Sequence, residues 1–212
     1  MRTQFRTARP SRARLYELAS VQGGYFTAKQ ARVAGYSKQN VAHHVASGRF
    51  ERVARGFYRL REFPAVSHDD VIAAWARVGP SRAIVSNETA LALYELSTVR
   101  PRKIDLTVAR KDRPRHRISL ATVAIHTTTR PFRPGEIMQR FGVRVTAPAR
   151  TIVDAAEAGT EPDYIVEAVN RALARGLLTK RELRAAAHDR PERVRRLIDK
   201  ATAEVQRGTP VH

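Results

Sequence analysis

Apolar positions near the amino terminus recur at helical spacing, between residues that favour helix ends. Ser11 is a preferred N-cap residue for a first helix over about residues 11–21. Leu15, Leu18 and Ala19 fall on one side of that helix and form its expected apolar stripe. The segment QGGY ends this pattern, because two adjacent glycines favour a turn.

Two further short helices are predicted in the segment 27–48. Thr27 followed three residues later by Gln30 forms a capping-box pattern, and Gly35 is the expected helix stop. Ser37 is the N-cap of the next helix, which ends at Gly48. The core-facing side predicted for this third helix consists of Val41, Ala42 and Val45.

The stretch RFERVARGFYRL then changes from helical spacing to alternation. Phe50, Val53 and Phe57 are its apolar positions, and Arg55–Gly56 is the expected turn of a β-hairpin. Three short helices followed by a hairpin are typical of a winged helix-turn-helix.

After about residue 63 the pattern predicts a mixture of helices and strands. A helix capped by Ser67 carries Asp69 and Asp70 in its first turn, and AIVSNETALALYEL is a second helix, capped at Ser86 or Asn87. Trp75 is expected to anchor the core of this second domain. Strands are predicted over 103–109, 123–129 and 143–148, and the remaining helices are expected in PARTIVDAAEAG, PDYIVEAVNRALARG, TKRELRAAAHD and RPERVRRLIDKATAEVQRG.

The predicted fold class is therefore α+β, a winged helix-turn-helix followed by a mixed α+β domain with a small β-sheet packed by helices. The expected boundaries are a basic flexible arm over 1–10, the winged helix over 11–62, the α+β domain over 66–205 and a flexible tail over 206–212.

Charge points to an anionic partner. The formal net charge is +19 in 212 residues, and most of the cations are arginine. Residues 1–62 alone carry 13 Lys or Arg against 3 Asp or Glu. Such an excess implies nucleic acid or an anionic membrane as the partner, and with nucleic acid each phosphate neutralised by a cation releases counterions. No run of about 18 apolar residues exists, so no membrane span is expected.

The third helix and the hairpin provide the groups that DNA recognition requires. Gln and Asn side chains can pair with adenine and Lys can reach guanine, while arginines on a wing contact phosphates. The adjacent His43 and His44 diverge by about 100°, so one is expected to pack and the other to face solvent or DNA. The predicted DNA-contacting residues are Thr27, Lys29, Ser37, Lys38, Gln39, Asn40, His43, His44, Arg49, Arg52, Arg55 and Arg59. The residues predicted to enter a neighbouring minor groove are Arg2, Arg6, Arg9 and Arg12.

Motifs for catalysis or cofactors are not found. A restriction-type nuclease needs a second carboxylate beside Asp105, and the next two predicted strands contain no acid. His68 and His126 are isolated in the sequence, and no glycine-rich phosphate loop is present, so no cofactor and no metal are expected. The absence of cysteine excludes disulfides and thiolate metal sites and is compatible with a reducing cytoplasm.

Two features admit both a structural and a functional interpretation. Arg150 and Asp154 lie four residues apart on one helix and can pair there, or they can face a partner. The cations of the last helix form either a second DNA contact or a solvated face; they are Arg193, Arg195, Arg196 and Lys200.

The quoted segments also resemble a known family. GGYFTAKQARVAGYSKQNVAHHVASGRFERVARGFYRL, the later VRVTAPARTIVDAA and the helix VSNETALALYEL are similar to segments of AbiEi-type antitoxins of type IV toxin–antitoxin systems. The similarity extends over about residues 12–200, although Asn87, Glu88 and Thr89 depart from the residues most common in the family.

The resemblance implies a cytoplasmic bacterial DNA-binding antitoxin. Such a protein would repress its own operon at promoter inverted repeats and oppose a nucleotidyltransferase-like toxin through its carboxy-terminal domain. The alternatives are a transcriptional regulator without a toxin partner and, third, a nuclease. Whether the protein is a monomer or a dimer does not follow from the sequence.

Overall fold

A computed structural model describes residues 9–65, 67–112 and 122–207. The described chain divides into two compact units, the first comprising the residues up to Ser81 together with Phe141–Val143, the second comprising Arg82–Arg140 and the residues from Arg144 onwards. No helix within these ranges is long and apolar enough to cross a lipid bilayer.

The first unit is a winged helix-turn-helix, as the sequence pattern predicts. Its elements are helix α1 (Arg12–Ser20), strand β1 (Tyr25–Thr27), helix α2 (Ala28–Val33), helix α3 (Lys38–Ala46), strand β2 (Phe50–Ala54), strand β3 (Phe57–Leu60) and helix α4 (Asp69–Val78). The strands form an antiparallel sheet in the order β1-β3-β2. Leu15, Phe26, Val41, Phe50 and Leu60 form its hydrophobic core. Burying each of these large side chains contributes about 1.5–3 kcal/mol.

Helix α4 belongs to this first unit, so the unit continues past the boundary expected near residues 62–66. The Tyr25 hydroxyl donates a hydrogen bond to Asp69 Oδ2 at 3.0 Å, which fastens the start of α4 to β1. Burial, followed by the hydrogen bond to Asp69, raises the pKa of Tyr25 to about 12, so the phenol remains a donor at neutral pH. Trp75, expected in the core of the second domain, is buried within the first unit instead.

The start of α4 also differs from the prediction. His68, in a left-handed conformation with φ of 61°, stands at the N-cap position in place of Ser67, and no side chain caps the helix. Two acidic residues in the first turn, Asp69 and Asp70, stabilise this end through the helix dipole.

Gly24 is required by close packing between β1 and the end of β3. Its φ is +85°, and a Cβ at this position would lie 2.5 Å from Cβ of Phe63. Only glycine fits both the backbone conformation and the available space.

The second unit has a five-stranded sheet in the order β6-β5-β4-β8-β7. Its strands are β4 (Ile84–Val85), β5 (Ile104–Ala109), β6 (Val123–Thr128), β7 (Ile137–Arg140) and β8 (Val143–Thr146). Strand β5 is parallel to β6 and antiparallel to β4, and β4 is parallel to β8. Its helices are α5 (Asn87–Leu93), α6 (Pro148–Ala158), α7 (Pro162–Ala174), α8 (Lys180–Ala187) and α9 (Glu192–Arg207).

Three expected strands are present, and β4 and β7 are additional. Ile84–Val85 begins the segment AIVSNETALALYEL, for which a helix capped at Ser86 or Asn87 is predicted. These two residues pair with β5 as a strand, and the helix begins at Asn87. A two-residue strand is too short to show alternation. Ser86 stands at the N-cap position of α5, one of the two positions predicted, but its side chain makes no capping bond. Its hydroxyl instead accepts a hydrogen bond from Thr107 Oγ1 at 2.8 Å.

Candidate nucleic-acid interface

Helices α2 and α3 are fixed at their amino-terminal ends by two capping boxes. The backbone N–H of Gln30 donates to Thr27 Oγ1 at 3.2 Å, and that of Asn40 donates to Ser37 Oγ at 3.1 Å. The backbone N–H groups of Thr27 and Ser37 in turn donate to the amide oxygens of Gln30 and Asn40. These bonds define where both helices begin, and they occupy three residues predicted to contact DNA, namely Thr27, Ser37 and Asn40.

The turn between α2 and α3 is short and rigid. Gly35 adopts a positive φ of 88°, and the N–H of Tyr36 donates to the carbonyl of Ala31 at 2.9 Å. The turn therefore holds α3 at a fixed angle to α2, which is the arrangement of a helix-turn-helix.

One face of α3 is free in the first unit. Lys38, Gln39, Ala42, His43 and Ala46 are exposed, whereas Val41 on the opposite face is buried. At 100° per residue the five exposed positions span one continuous face. Ala42, predicted in the core, lies on this face because Val41, Val45 and His44 already cover the packed side.

His44 packs inside the domain and His43 faces solvent. The His44 ring centroid lies 4.8 Å from that of Phe50 and 5.5 Å from that of Tyr36. Burial, then the nearby charges of Arg49 and His43, lower the pKa of His44 below its usual value. A packed imidazole is a poor phosphate ligand, so of the two adjacent histidines His43 is the one placed to contact DNA.

The wing, formed by β2 and β3, presents two arginines at its tip. Arg52 and Arg55 are exposed, and Arg55–Gly56 forms the turn, with a Gly56 φ of 72°. The register shifts between Arg52 and Ala54, so Val53 is a bulge residue. This bulge explains why Val53, predicted to be an inward apolar position, is 42% exposed.

Arg59 is turned away from the wing surface. Its Nη2 donates to the Pro64 carbonyl at 2.9 Å, and its guanidinium carbon lies 5.5 Å from the Tyr25 ring centroid. It was predicted to contact phosphate, but its place on the central strand of the sheet directs it to this internal role.

The structure describes two of the four arginines predicted to enter a minor groove, Arg9 and Arg12. Arg2 and Arg6 lie outside the described residues, and Arg9 is exposed. Arg12 belongs to the first turn of α1 and forms an ion pair with Glu62, so it is not part of a free arm. Lys29, on α2, and Arg49, after α3, are exposed as a DNA contact requires.

Sequence reasoning did not identify the small residues of the α3 face. Ala42 and Ala46 lie on the same exposed face of α3 as Gln39. An alanine lets a helix approach a groove closely, and its methyl group can contact a thymine methyl. The i, i+4 spacing of the two alanines between polar residues is the signal that could have indicated them.

The Arg150–Asp154 pair of the second unit is part of a buried ionic network. Asp154 accepts a hydrogen bond from Arg150 Nε at 2.7 Å, and its other oxygen lies 2.7 Å from Arg190 Nη2. Arg150 also reaches Glu136 Oε2 at 3.1 Å and stacks over the Phe132 ring at 4.9 Å. Because both guanidinium groups are enclosed and paired, the structure supports the structural interpretation of the pair.

Glu157 closes the same network through Arg190 and Arg130. Burial acts to raise the pKa of Glu157, but hydrogen bonds from Arg190 and Arg130 outweigh it, and the pKa lies below its ordinary value. Glu157 is therefore ionised at neutral pH and contributes a second negative charge beside Arg190.

Asp105 and His126, considered separately in the sequence, are neighbours in the second unit. His126 Nε2 lies 2.8 Å from Asp105 Oδ1. Within the described ranges no group of three or more His, Cys, Asp or Glu side chains is placed to hold a metal ion.

Comparisons with known proteins agree with this architecture. A family model described as "Transcriptional regulator, AbiEi antitoxin" matches residues 13–61, which confirms over this segment the resemblance noted in the sequence. The crystal structure of the RV2827C protein from Mycobacterium tuberculosis is similar, with a TM-score of 0.56 and 14% identity over 94% of this chain and 82% of that chain. At that identity the likeness concerns the fold alone. No curated protein sequence matches the chain. Residues 13–61 are thus similar to the matching segment of transcriptional regulators of the AbiEi antitoxin family, which supports a DNA-binding regulator.

Proposed function

We propose that this protein is a sequence-specific antitoxin of a type IV toxin–antitoxin system that acts in the bacterial cytoplasm without catalysis. It represses its own operon at inverted repeats in the promoter and counters a nucleotidyltransferase-like toxin. The observation that carries the DNA-binding part is the exposed face of α3 beside an arginine-tipped wing, in a segment that matches the AbiEi regulator model.

Recognition of bases is assigned to the exposed face of α3. Asn40 uses its amide oxygen in the capping box, whereas the Gln39 amide bonds to no other described residue. An amide without a partner can form paired hydrogen bonds with adenine. Lys38 stands at the first position of the helix, where side chains of a recognition helix reach the groove floor. The side chains of Ala42 and Ala46 are short, so they allow α3 to approach the base edges closely.

Binding to the backbone is assigned to the wing and to the cations beside α3. Arg52 and Arg55 lie at the wing tip, and Lys29 and Arg49 flank α3. These contacts fix the orientation of the winged helix-turn-helix on the duplex and carry no sequence information of their own. Affinity for any duplex should therefore depend on them and on salt.

The double variant Arg52→Ala/Arg55→Ala is expected to weaken binding to specific and nonspecific duplexes alike. Two lost phosphate contacts should reduce the slope of log affinity against log salt by about 2. Fluorescence anisotropy across a salt series measures both quantities. The control Lys111→Ala/Arg181→Ala removes two exposed cations of the second unit and should leave the slope unchanged. An equal change in both double variants would show that the wing has no special place in binding.

The toxin part of the proposal is supported by the family resemblance and requires a nucleotidyltransferase-like toxin gene next to this one. Co-expression of the full chain is expected to restore growth of cells that express that toxin. The Arg52→Ala/Arg55→Ala variant should restore growth equally well while losing repression of a promoter reporter, since neutralisation is assigned to the other unit. A full chain that represses the reporter but does not restore growth would favour a regulator without a toxin partner.

A further inference from the structure

Two clefts of the second unit meet at the same pair of side chains. One has a volume of about 820 Å³ and the other about 310 Å³, and both are lined by Asn87 and His126. The larger lies against β5, β6 and the segment between α6 and α7. Its volume is in the range of small-molecule sites. The smaller cleft is also lined by Arg150, Asp154 and Arg190 of the buried ionic network, whereas the larger cleft contains none of those residues.

His126 is held there by a supported carboxylate. Asp105 Oδ1 contacts His126 Nε2 at 2.8 Å, and Asp105 Oδ2 accepts from the backbone N–H of Thr89 at 3.3 Å. The Asp105 side chain is 13% exposed and the His126 side chain 38% exposed. A carboxylate at one ring nitrogen fixes the orientation of an imidazole. Nδ1 is left for a ligand, because no described residue bonds to it.

Asn87 is the second group at the junction, and its backbone is strained. It is buried, with 5% of its surface exposed, and it begins α5 with a left-handed φ of 47°. Its side-chain amide bonds to no other described residue. A non-glycine residue in this conformation costs about 1–3 kcal/mol, and such strain concentrates at ligand sites. An amide without a partner at the floor of a cleft is a group available to read the edge of a ligand.

The rest of the larger cleft supplies three kinds of group. Arg100, Arg102 and Lys103 are exposed cations on the segment before β5, and Tyr164 on α7 provides an aromatic ring. Glu88 and Glu161 are carboxylates in the same cleft. Cations suit a phosphate, an aromatic ring suits a planar base, and carboxylates accept hydrogen bonds from ribose hydroxyls.

We propose that this cleft binds a mononucleotide. Its phosphate is bound by the basic segment Arg100–Lys103 and by the ring of His126 through Nδ1, its base stacks on Tyr164, and the Asn87 amide reads the base edge. Asp105 acts as a positioning residue that orients His126. The inference is independent of DNA binding by the winged helix, and a failure of either leaves the other in place.

Calorimetric titration of the full chain with AMP, GMP, CMP and UMP tests the proposal, with adenosine and inorganic phosphate as separate probes. At least one mononucleotide is expected to bind, and more tightly than adenosine or phosphate alone. The ¹⁵N resonances of the His126 ring should shift during the same titration. Absence of heat and of ring shifts with all four nucleotides at about 1 mM would overturn the proposal. Equal affinity for inorganic phosphate would overturn it as well, because it would indicate an anion site only.

Variants locate the binding within the cleft. Asn87→Gly removes the amide while suiting the positive φ, so the fold should be kept or strengthened, and nucleotide affinity should fall at least about tenfold. His126→Gln and Arg102→Ala/Lys103→Ala should weaken binding to a similar extent. Lys111→Ala/Arg181→Ala removes two exposed cations outside the cleft and should leave affinity unchanged. If His126→Gln does not fold, Asn87→Gly decides the question, and unchanged affinity in that variant would refute the assignment.

Discussion

Asp154→Asn is expected to lower the free energy of unfolding by about 3–5 kcal/mol, the usual effect of breaking a buried ion pair from one side. The carboxylate bridges Arg150 and Arg190, both at 2.7 Å, and both residues are less than a tenth exposed. An amide offers one acceptor in place of two and removes the negative charge, so two buried guanidinium groups lose a counter-charge. Urea unfolding followed by circular dichroism measures the loss.

A matched control for this substitution is Asp199→Asn. Asp199 pairs with Arg184 at 3.6 Å, but both side chains are more than half exposed. Solvent screens such a pair, and its loss should change the free energy of unfolding by less than about 1 kcal/mol. Similar losses in the two variants would mean that the network around Asp154 is no more important than a surface ion pair.

Ala42→Glu is expected to reduce affinity for a specific duplex by at least about 100-fold. The substitution puts a longer, negatively charged side chain at the centre of the exposed α3 face. In a complex with DNA this carboxylate would lie close to the phosphates and the base edges. Like-charge juxtaposition at an interface costs several kcal/mol, and each 1.4 kcal/mol is a factor of ten in affinity. Because Ala42 is exposed in a helix, the variant should fold with a stability within about 0.5 kcal/mol of the parent.

Ala203→Glu is the control for that variant. It makes the same chemical change at an exposed position of α9 in the second unit. Its affinity for the duplex should match that of the parent. A large loss in Ala203→Glu as well would point to a general effect of added negative charge rather than to the α3 face.

Local signals explain how much of the winged helix could be predicted from sequence. The Thr27–Gln30 capping box, the Ser11 and Ser37 N-caps and the Arg55–Gly56 turn each depend on residues within a few positions of one another. The capping hydrogen bonds of Ser11, Thr27 and Ser37 form as predicted, each between groups three residues apart.

Interactions between distant segments explain what the sequence left unresolved. Asp105 and His126 meet only because β5 and β6 pair in parallel, with Thr107 opposite His126, and no local pattern fixes that register. Arg190, in the segment before α9, also pairs with Asp154. The spacing of Arg150 and Asp154 along one helix predicts their own ion pair but not this second one.

The side of α3 that faces solvent was predicted only in part. An apolar stripe containing Ala42 is as consistent with the spacing as one containing His44. The choice is made by Tyr36 and Phe50, whose rings accommodate the His44 imidazole and leave the smaller alanine outside. Likewise, a hydrogen bond from Tyr25 to Asp69 links α4 to β1 of the first unit. The change of pattern at residue 63 does not reveal this contact.

The central claim is that the exposed face of α3 contacts the bases of DNA. The most direct measurement is to bind the parent, Ala42→Glu and Gln39→Ala proteins to a library of random duplexes and to sequence the bound fraction. The parent should select one inverted-repeat motif. Gln39→Ala should relax the preference at a single position of each half-site, and Ala42→Glu should select nothing. An unchanged motif in both variants would show that α3 does not contact the bases.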